Sequence, residues 1–319
     1  MTALAHDIGP VAARRRTTGG LALAVVSATT FGLSGSLATG LLGTGWSPGA
    51  VVLVRIGLAA LVVVPFGAIA LRGRWDALRR NAWLVVLYGV LAVAGAQFCY
   101  FSAVQTMQVG PALLIEYTAP AVVVAWLWLR HGQRPGLLTL AGAGLAALGL
   151  VLVLDLISGT RLSTAGVAWA LAAMVGAVTY FVISADEATG LPPITLASGG
   201  LVVGAALLTL LGVVGLLPMH GSRAGVRYAG AEVAWWVPLL LLGLVTAAVA
   251  YVTGIAAGRR LGSRLASFVA LLEVVAGVVF AWLLLRQLPH AVQLIGGLLV
   301  LAGVLTVKLG ERGVVGGDV

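Results

Sequence analysis

Charge is the scarcest ingredient of this 319-residue chain: 9% of its residues are Asp, Glu, Lys or Arg, against 61% hydrophobic. A soluble chain wets its surface with about 25% charged residues, so 19 basic and 10 acidic side chains cannot cover a water-soluble body of this size. That excludes a cytosolic enzyme, a secreted domain and a disordered protein. Cysteine is nearly absent. The one thiol, Cys99, lies in an apolar run, which excludes an intrachain disulfide and a cysteine metal cluster. Histidine is also scarce, and His6, His131, His220 and His290 all fall in the tail or in gaps between apolar runs. An intramembrane haem or zinc site therefore lacks its usual ligands, and no metal or cofactor is expected. Acidic residues are outnumbered, leaving a net charge of +9. In a soluble protein that excess would point to nucleic acid. Here the basic residues fill short gaps between apolar runs, the pattern of positive cytoplasmic loops in a polytopic membrane protein. The expected surroundings are a lipid bilayer, with no nucleic-acid partner.

The chain is rich in long apolar runs, at 20–42, 49–71, 82–104, 111–129, 136–156, 164–185, 193–217, 235–257, 265–285 and 290–309. Each has about the 20 residues that a membrane-crossing helix needs. The pattern predicts an all-α polytopic membrane protein of ten transmembrane helices. A polar tail (1–18), a loop at 218–234 and a Gly-rich end (310–319) are all that remains. The first run follows Arg14-Arg15-Arg16 but is too long for a signal peptide and lacks an Ala-x-Ala end, so it reads as an anchored helix. With the N-terminus inside, fourteen Lys and Arg residues face the cytoplasm and four (Arg161, Arg223, Arg227, Arg286) face outward. Both termini are thus expected in the cytoplasm, and the chain in the plasma membrane.

The sequence also repeats itself. A shift of 154 residues lays Gly89 on Gly243, Trp128 on Trp282, Gln133 on Gln287, Pro135 on Pro289, Gly142 on Gly296 and Gly149 on Gly303. The first two helices of each half match better at a shift of 146, with Gly20 on Gly166, and the 218–234 loop absorbs the difference. The division is a tail at 1–18, five-helix units at 19–156 and 164–309, and a tail at 310–319. An odd number of helices per unit turns the second unit upside down. Inverted repeats allow two equivalent packings around a site near the membrane midplane, as in secondary transporters. Small residues such as Gly32, Gly35, Gly142, Gly144 and Gly149 let helix backbones approach closely.

Two stretches carry a family resemblance. One is Tyr117-Thr-Ala-Pro120 followed by Trp126-Leu-Trp128-Leu-Arg130, Pro135 and a Gly-rich helix. The other is Leu271-Leu-Glu273-Val274 followed by Ala281-Trp282-Leu-Leu-Leu-Arg286, Pro289 and Gly296-Gly297. On these the chain resembles the EamA-type family of the drug/metabolite transporter superfamily, over residues 18–309. It departs from the family pattern at Val274, where Glu-Pro is usual, and at Arg130-His131-Gly132 and Arg286, where helices commonly end in Gly-Glu. Arg55 resembles the arginine that the family carries in its second helix. The resemblance implies export of an amino-acid-like metabolite or a drug.

Charges inside apolar spans cost about 2.5–3.5 kcal/mol on insertion scales and usually face a cavity or a partner. Arg55, Glu116 and Glu273 stand well inside spans and are the candidate substrate-binding or coupling residues. Arg55 lies roughly 10 Å deep at 1.5 Å per residue, close to the level expected of Glu116. The two can form an ion pair that gates the outer side, or Arg55 can take a carboxylate or phosphate of the solute. A structural ion pair or a snorkelling arginine is the plainer alternative. Glu273 sits near mid-membrane, where a carboxyl group suits proton coupling; a protonated structural glutamate is its alternative. Gln97, Tyr100, Tyr117, Tyr180, Tyr251 and Phe268 are candidate cavity-lining residues, with core packing as the competing role. Pro120 is expected to break or kink the fourth helix. Gly32-Leu33-Ser34-Gly35 matches the Gly-x-Ser-Gly of intramembrane serine proteases, but no histidine base lies at membrane depth. No enzyme is therefore expected, and with neither a His-Glu-x-x-His nor a Walker A motif, ATP-driven pumping is unsupported. The sequence points to a secondary transporter of a small organic solute working by alternating access, with proton coupling resting on Glu116 and Glu273. It would act as a monomer or homodimer. A channel or an importer of small solutes is the rival reading.

Overall fold

The structure, a computed structural model, describes residues 10–119, 122, 136–153, 163–186, 189–269 and 271–314. Helices dominate. α1 (Pro10–Leu42), α2 (Pro48–Ala70) and the short α3 (Trp75–Arg80) are followed by α4 (Ala82–Thr106). Then come α5 (Val109–Glu116), α6 (Leu137–Val153), α7 (Thr164–Ala185) and α8 (Pro193–Val213). A hairpin of β1 (Val226–Tyr228) and β2 (Ala231–Val233) leads to α9 (236–269), α10 (Leu272–Leu285) and α11 (Ala291–Val314). The starts are written in the sequence. Ser47 caps α2, its hydroxyl accepting from Ala50 N at 3.4 Å with Pro48 behind it, and Ser163 does the same for α7 through Gly166 N at 3.2 Å.

Among the described residues, six helices are long and apolar enough to cross a membrane: Thr18–Leu42, Pro48–Ala70, Ala82–Thr106, Thr164–Ser184, Pro193–Val213 and Trp236–Leu261. They are the first three spans of each half of the chain, and the remaining apolar helices are shorter. The structure corrects several expected boundaries. The chain is not purely α-helical, because the 218–234 loop folds into the antiparallel hairpin, with Val226 opposite Val233 and Tyr228 opposite Ala231. The Arg-rich stretch at 258–264 is no loop: α9 runs on to Val269, and Arg259 donates to Leu191 O at 3.1 Å. Helix also begins within the N-terminal tail, at Pro10, and continues past 310 to Val314.

The two halves share local features at the offsets read from the sequence. α4 contains a π-helical stretch at Tyr88–Gly95, and α9 has one at Leu241–Val249, with Gly89 and Gly243 at matching places. The α6/α11 crossing is reciprocal. A Cβ on Gly149 would stand 2.6 Å from Gly296 O, and a Cβ on Gly303 would stand 2.6 Å from Gly142 O. Each glycine thus packs on the repeat mate of the other's partner. Gly32 likewise brings α1 against α10, where a Cβ would meet Glu273 O at 2.9 Å. Such backbone approach is how helices associate where lipid removes the hydrophobic drive.

Candidate functional site

Glu116 and Glu273 both sit where a helix is interrupted. α5 ends at Glu116, and the chain turns at Tyr117–Thr118. The sequence supplies a cause: Pro120 has no N–H to offer the Glu116 carbonyl four residues back. Pro120 itself lies outside the described residues. α10 starts at Leu272 after a cap at Leu271, which puts Glu273 in its first turn, where the helix dipole favours a negative charge. Tyr117 and Leu271 are repeat mates at the 154-residue shift, so the two interruptions occupy equivalent places. Discontinuous helices of this kind form solute sites in transporters.

Between them lies a cavity of about 100 Å³. α5 and the turn after it contribute Glu116 and Tyr117, α10 contributes Glu273, and α4 contributes Gln97 with Ala92 and Ala96. α7 adds Tyr180, Phe181 and Ser184; α9 adds Tyr251 and Gly254; α1 adds Ser27, Ala28 and Phe31. Tyr117 donates its hydroxyl to Glu273 Oε2, a bond between the two halves of the chain. The aromatic wall is edge-to-face: Tyr251 packs on Phe31 with centroids 5.1 Å apart and on Tyr180 at 6.0 Å. Ser27 donates to Ala250 O at 2.8 Å. The cavity extends along α1 to Ala24 and along α9 to Ala257 and Gly258. That end holds the start of α1, since a Cβ on Gly20 would touch the Leu261 side chain at 2.7 Å.

The opposite end is covered by the segment 218–235. Tyr228 donates to Leu37 O at 2.6 Å, and Ala229 N donates to Leu284 O at 2.8 Å. Trp46 donates to Ser222 O at 2.9 Å and stacks on Trp235 with centroids 6.1 Å apart. Ser47 N donates to His220 O at 3.0 Å. Burial pushes the Tyr228 hydroxyl above its usual value, so it remains a donor at neutral pH.

Of the residues singled out from sequence, Glu116, Glu273, Gln97, Tyr117, Tyr180 and Tyr251 line one cavity. Tyr100 is buried outside the lining, its hydroxyl without a partner against Gly35. The Phe268 side chain lies outside the described residues. Arg55 is fully buried, but its hydrogen bonds go to Gln97 Oε1 and Thr246 O, not to Glu116, and its guanidinium lies 5.3 Å from the Phe101 ring centroid. In this structure Arg55 therefore bonds neutral acceptors and lies behind the lining residues. Sequence reasoning missed Ser27, Phe31, Phe181 and Ser184. They are unremarkable residues of apolar helices, and only the packing of α1 and α7 shows which face they occupy.

The fold and the cavity define a membrane transporter built from two related halves. The chain belongs to the EamA-like transporter family, whose model matches residues 18–155 and again 164–309. It is 23% identical over 266 residues to the uncharacterized inner membrane transporter YicL of Salmonella typhimurium (strain LT2), covering 82% of this chain and 85% of that one. A solved crystal structure of a protein 22% identical in sequence shares the fold, with a TM-score of 0.63 over 94% of this chain and 99% of the other.

Proposed function

We propose that the chain is a ten-helix secondary transporter of the plasma membrane, which exports a small amino-acid-like metabolite or drug by alternating access and couples export to protons through Glu116 and Glu273. The observation that carries this reading is the cavity at two repeat-equivalent helix interruptions, each supplying a carboxyl group. A site between two halves can be exposed first to one side and then to the other as the halves rock. The reciprocal Gly149 and Gly303 contacts support an inverted repeat. With both termini in the cytoplasm, the cavity lining reaches along α1 and α9 toward the cytoplasmic end and segment 218–235 covers the outer end, an arrangement that suits an inward-facing exporter. Two carboxyl groups lining one cavity provide proton sites that a cationic or amine-bearing solute can displace.

The test is a metabolite profile inside and outside cells making the wild type or Glu116→Gln/Glu273→Gln. A few compounds are expected to accumulate outside with the wild type alone, driven by the pH gradient. Equal accumulation with the double variant would remove the carboxyl groups from the mechanism. No change in any pool with the wild type would remove the exporter reading itself.

A further inference from the structure

Arg55 is fully buried and does not line the cavity, yet it governs what the cavity wall presents. A guanidinium carries five N–H donors and no acceptor. Whatever meets its Nη1 must offer an oxygen, so the Gln97 carboxamide is held with Oε1 toward Arg55 and Nε2 away from it. That nitrogen donates to the Tyr251 hydroxyl oxygen at 3.4 Å. Two donors are then left over: the second N–H of Gln97 and the O–H of Tyr251, whose oxygen is already serving as an acceptor. Both residues line the cavity. Arg55 is itself fixed, by a 2.6 Å bond from Nη2 to Thr246 O in the π-helical stretch of α9 and by the face of Phe101. The same cavity carries acceptors on other helices, the carboxyl groups of Glu116 and Glu273. Its polar lining therefore has two unlike poles.

We propose that Arg55 is a positioning residue that makes Gln97 and Tyr251 a donor subsite for a carbonyl or carboxylate oxygen of the solute, whose amine lies at Glu116 and Glu273. This rests on the transporter reading above and says how the site would hold the amine and the carbonyl or carboxylate oxygen of the amino-acid-like solute proposed there. A glutamine free to turn over would present an oxygen as readily as a nitrogen, and the subsite would lose its sign. Arg55 selects the solute without touching it.

The experiment measures Kd by thermal shift on the purified full chain in detergent with three probes of one body: phenylalanine, phenylalanine amide and phenethylamine. The phenyl group suits a wall that contains Phe31, Tyr180 and Phe181. The wild type is expected to bind the first two about tenfold more tightly than phenethylamine, the scale of one or two hydrogen bonds. Arg55→Met and Gln97→Leu are expected to bring the three probes within about threefold of each other. Gln97→Glu, which replaces the donor with an acceptor and keeps the shape, is expected to reverse the order in favour of phenethylamine. It serves as the deciding variant if Arg55→Met does not fold. Equal response of the wild type to all three probes, response to none, or full discrimination retained in Arg55→Met or Gln97→Glu would overturn the subsite. The metabolite profile would still decide the transporter reading separately.

Discussion

At the scale of single residues, the site turns on which polar group finds which partner in a mainly apolar wall. Tyr117 and Glu273 come from different halves of the chain, and their hydrogen bond joins the halves at the cavity. A hydrogen bond to a charged group is worth about 1.5–3 kcal/mol, or roughly 10- to 150-fold in any equilibrium that makes or breaks it. Tyr117→Phe keeps the ring and removes only the donor. It is expected to lower transport at least about tenfold and to move its pH profile, while protein abundance in the membrane stays near wild type. Proteoliposome transport at a series of pH values checks this, and an unchanged profile would remove the Tyr117–Glu273 bond from the proposed proton coupling. The sequence made Arg55, Glu116 and Glu273 visible because charge is so rare in its apolar runs. It could not show that Arg55 bonds to Gln97 and Thr246 O, since partners 42 and 191 residues away depend on which faces of α2, α4 and α9 meet.

Among elements, the α6/α11 crossing shows how far the repeat reaches into packing. The four glycines at 142, 149, 296 and 303 were legible as a repeat from their spacing alone, and in the structure they put backbone against backbone. A side chain there cannot be relieved by a rotamer change, because the obstacles are main-chain atoms. A Cβ on Gly303 would lie 2.5 Å from Ala146 N, and one on Gly149 would lie 2.6 Å from Val300 N. Gly149→Val and Gly303→Val are each expected to cost about 3 kcal/mol or more by overpacking, to a similar degree because the contact is reciprocal. Gly144→Ala, with nothing within 4 Å of its added Cβ, is the tolerated control. The monodisperse fraction on size-exclusion chromatography in detergent reads out all three. Other elements were less legible. The Arg259-Arg260 pair and Arg264 looked like a loop because charge ends an apolar run, yet a helix that emerges from the membrane can carry charge and continue. The hairpin escaped because strands of three residues have no period to detect.

For the molecule as a whole, the proposed alternating-access cycle requires that the end opposite the cavity be closed by bonds weak enough to break. Segment 218–235 has that character. It holds α1 through Tyr228 and Leu37 O, α2 through Ser47 and His220, and α10 through Ala229 and Leu284 O. These contacts tie spans from both halves at one end. Each neutral hydrogen bond contributes about 1 kcal/mol net, so removing one shifts a closed-to-open equilibrium by about fivefold. Tyr228→Phe removes the bond to Leu37 O and keeps the ring beside Gly40. Gly40→Leu goes further, since a Cβ there already comes within 2.5 Å of the Tyr228 ring. With Ala28→Cys as a reporter in a Cys99→Ala background, an impermeant thiol reagent added to the hairpin side is expected to label Tyr228→Phe about fivefold faster than the parent, and Gly40→Leu faster still. Labelling rates equal in all three would mean that the hairpin rides on the outer surface without holding it closed. The closure would then rest on the helices alone, and the first motion of the cycle would have to be sought in the α1/α10 contact at Gly32.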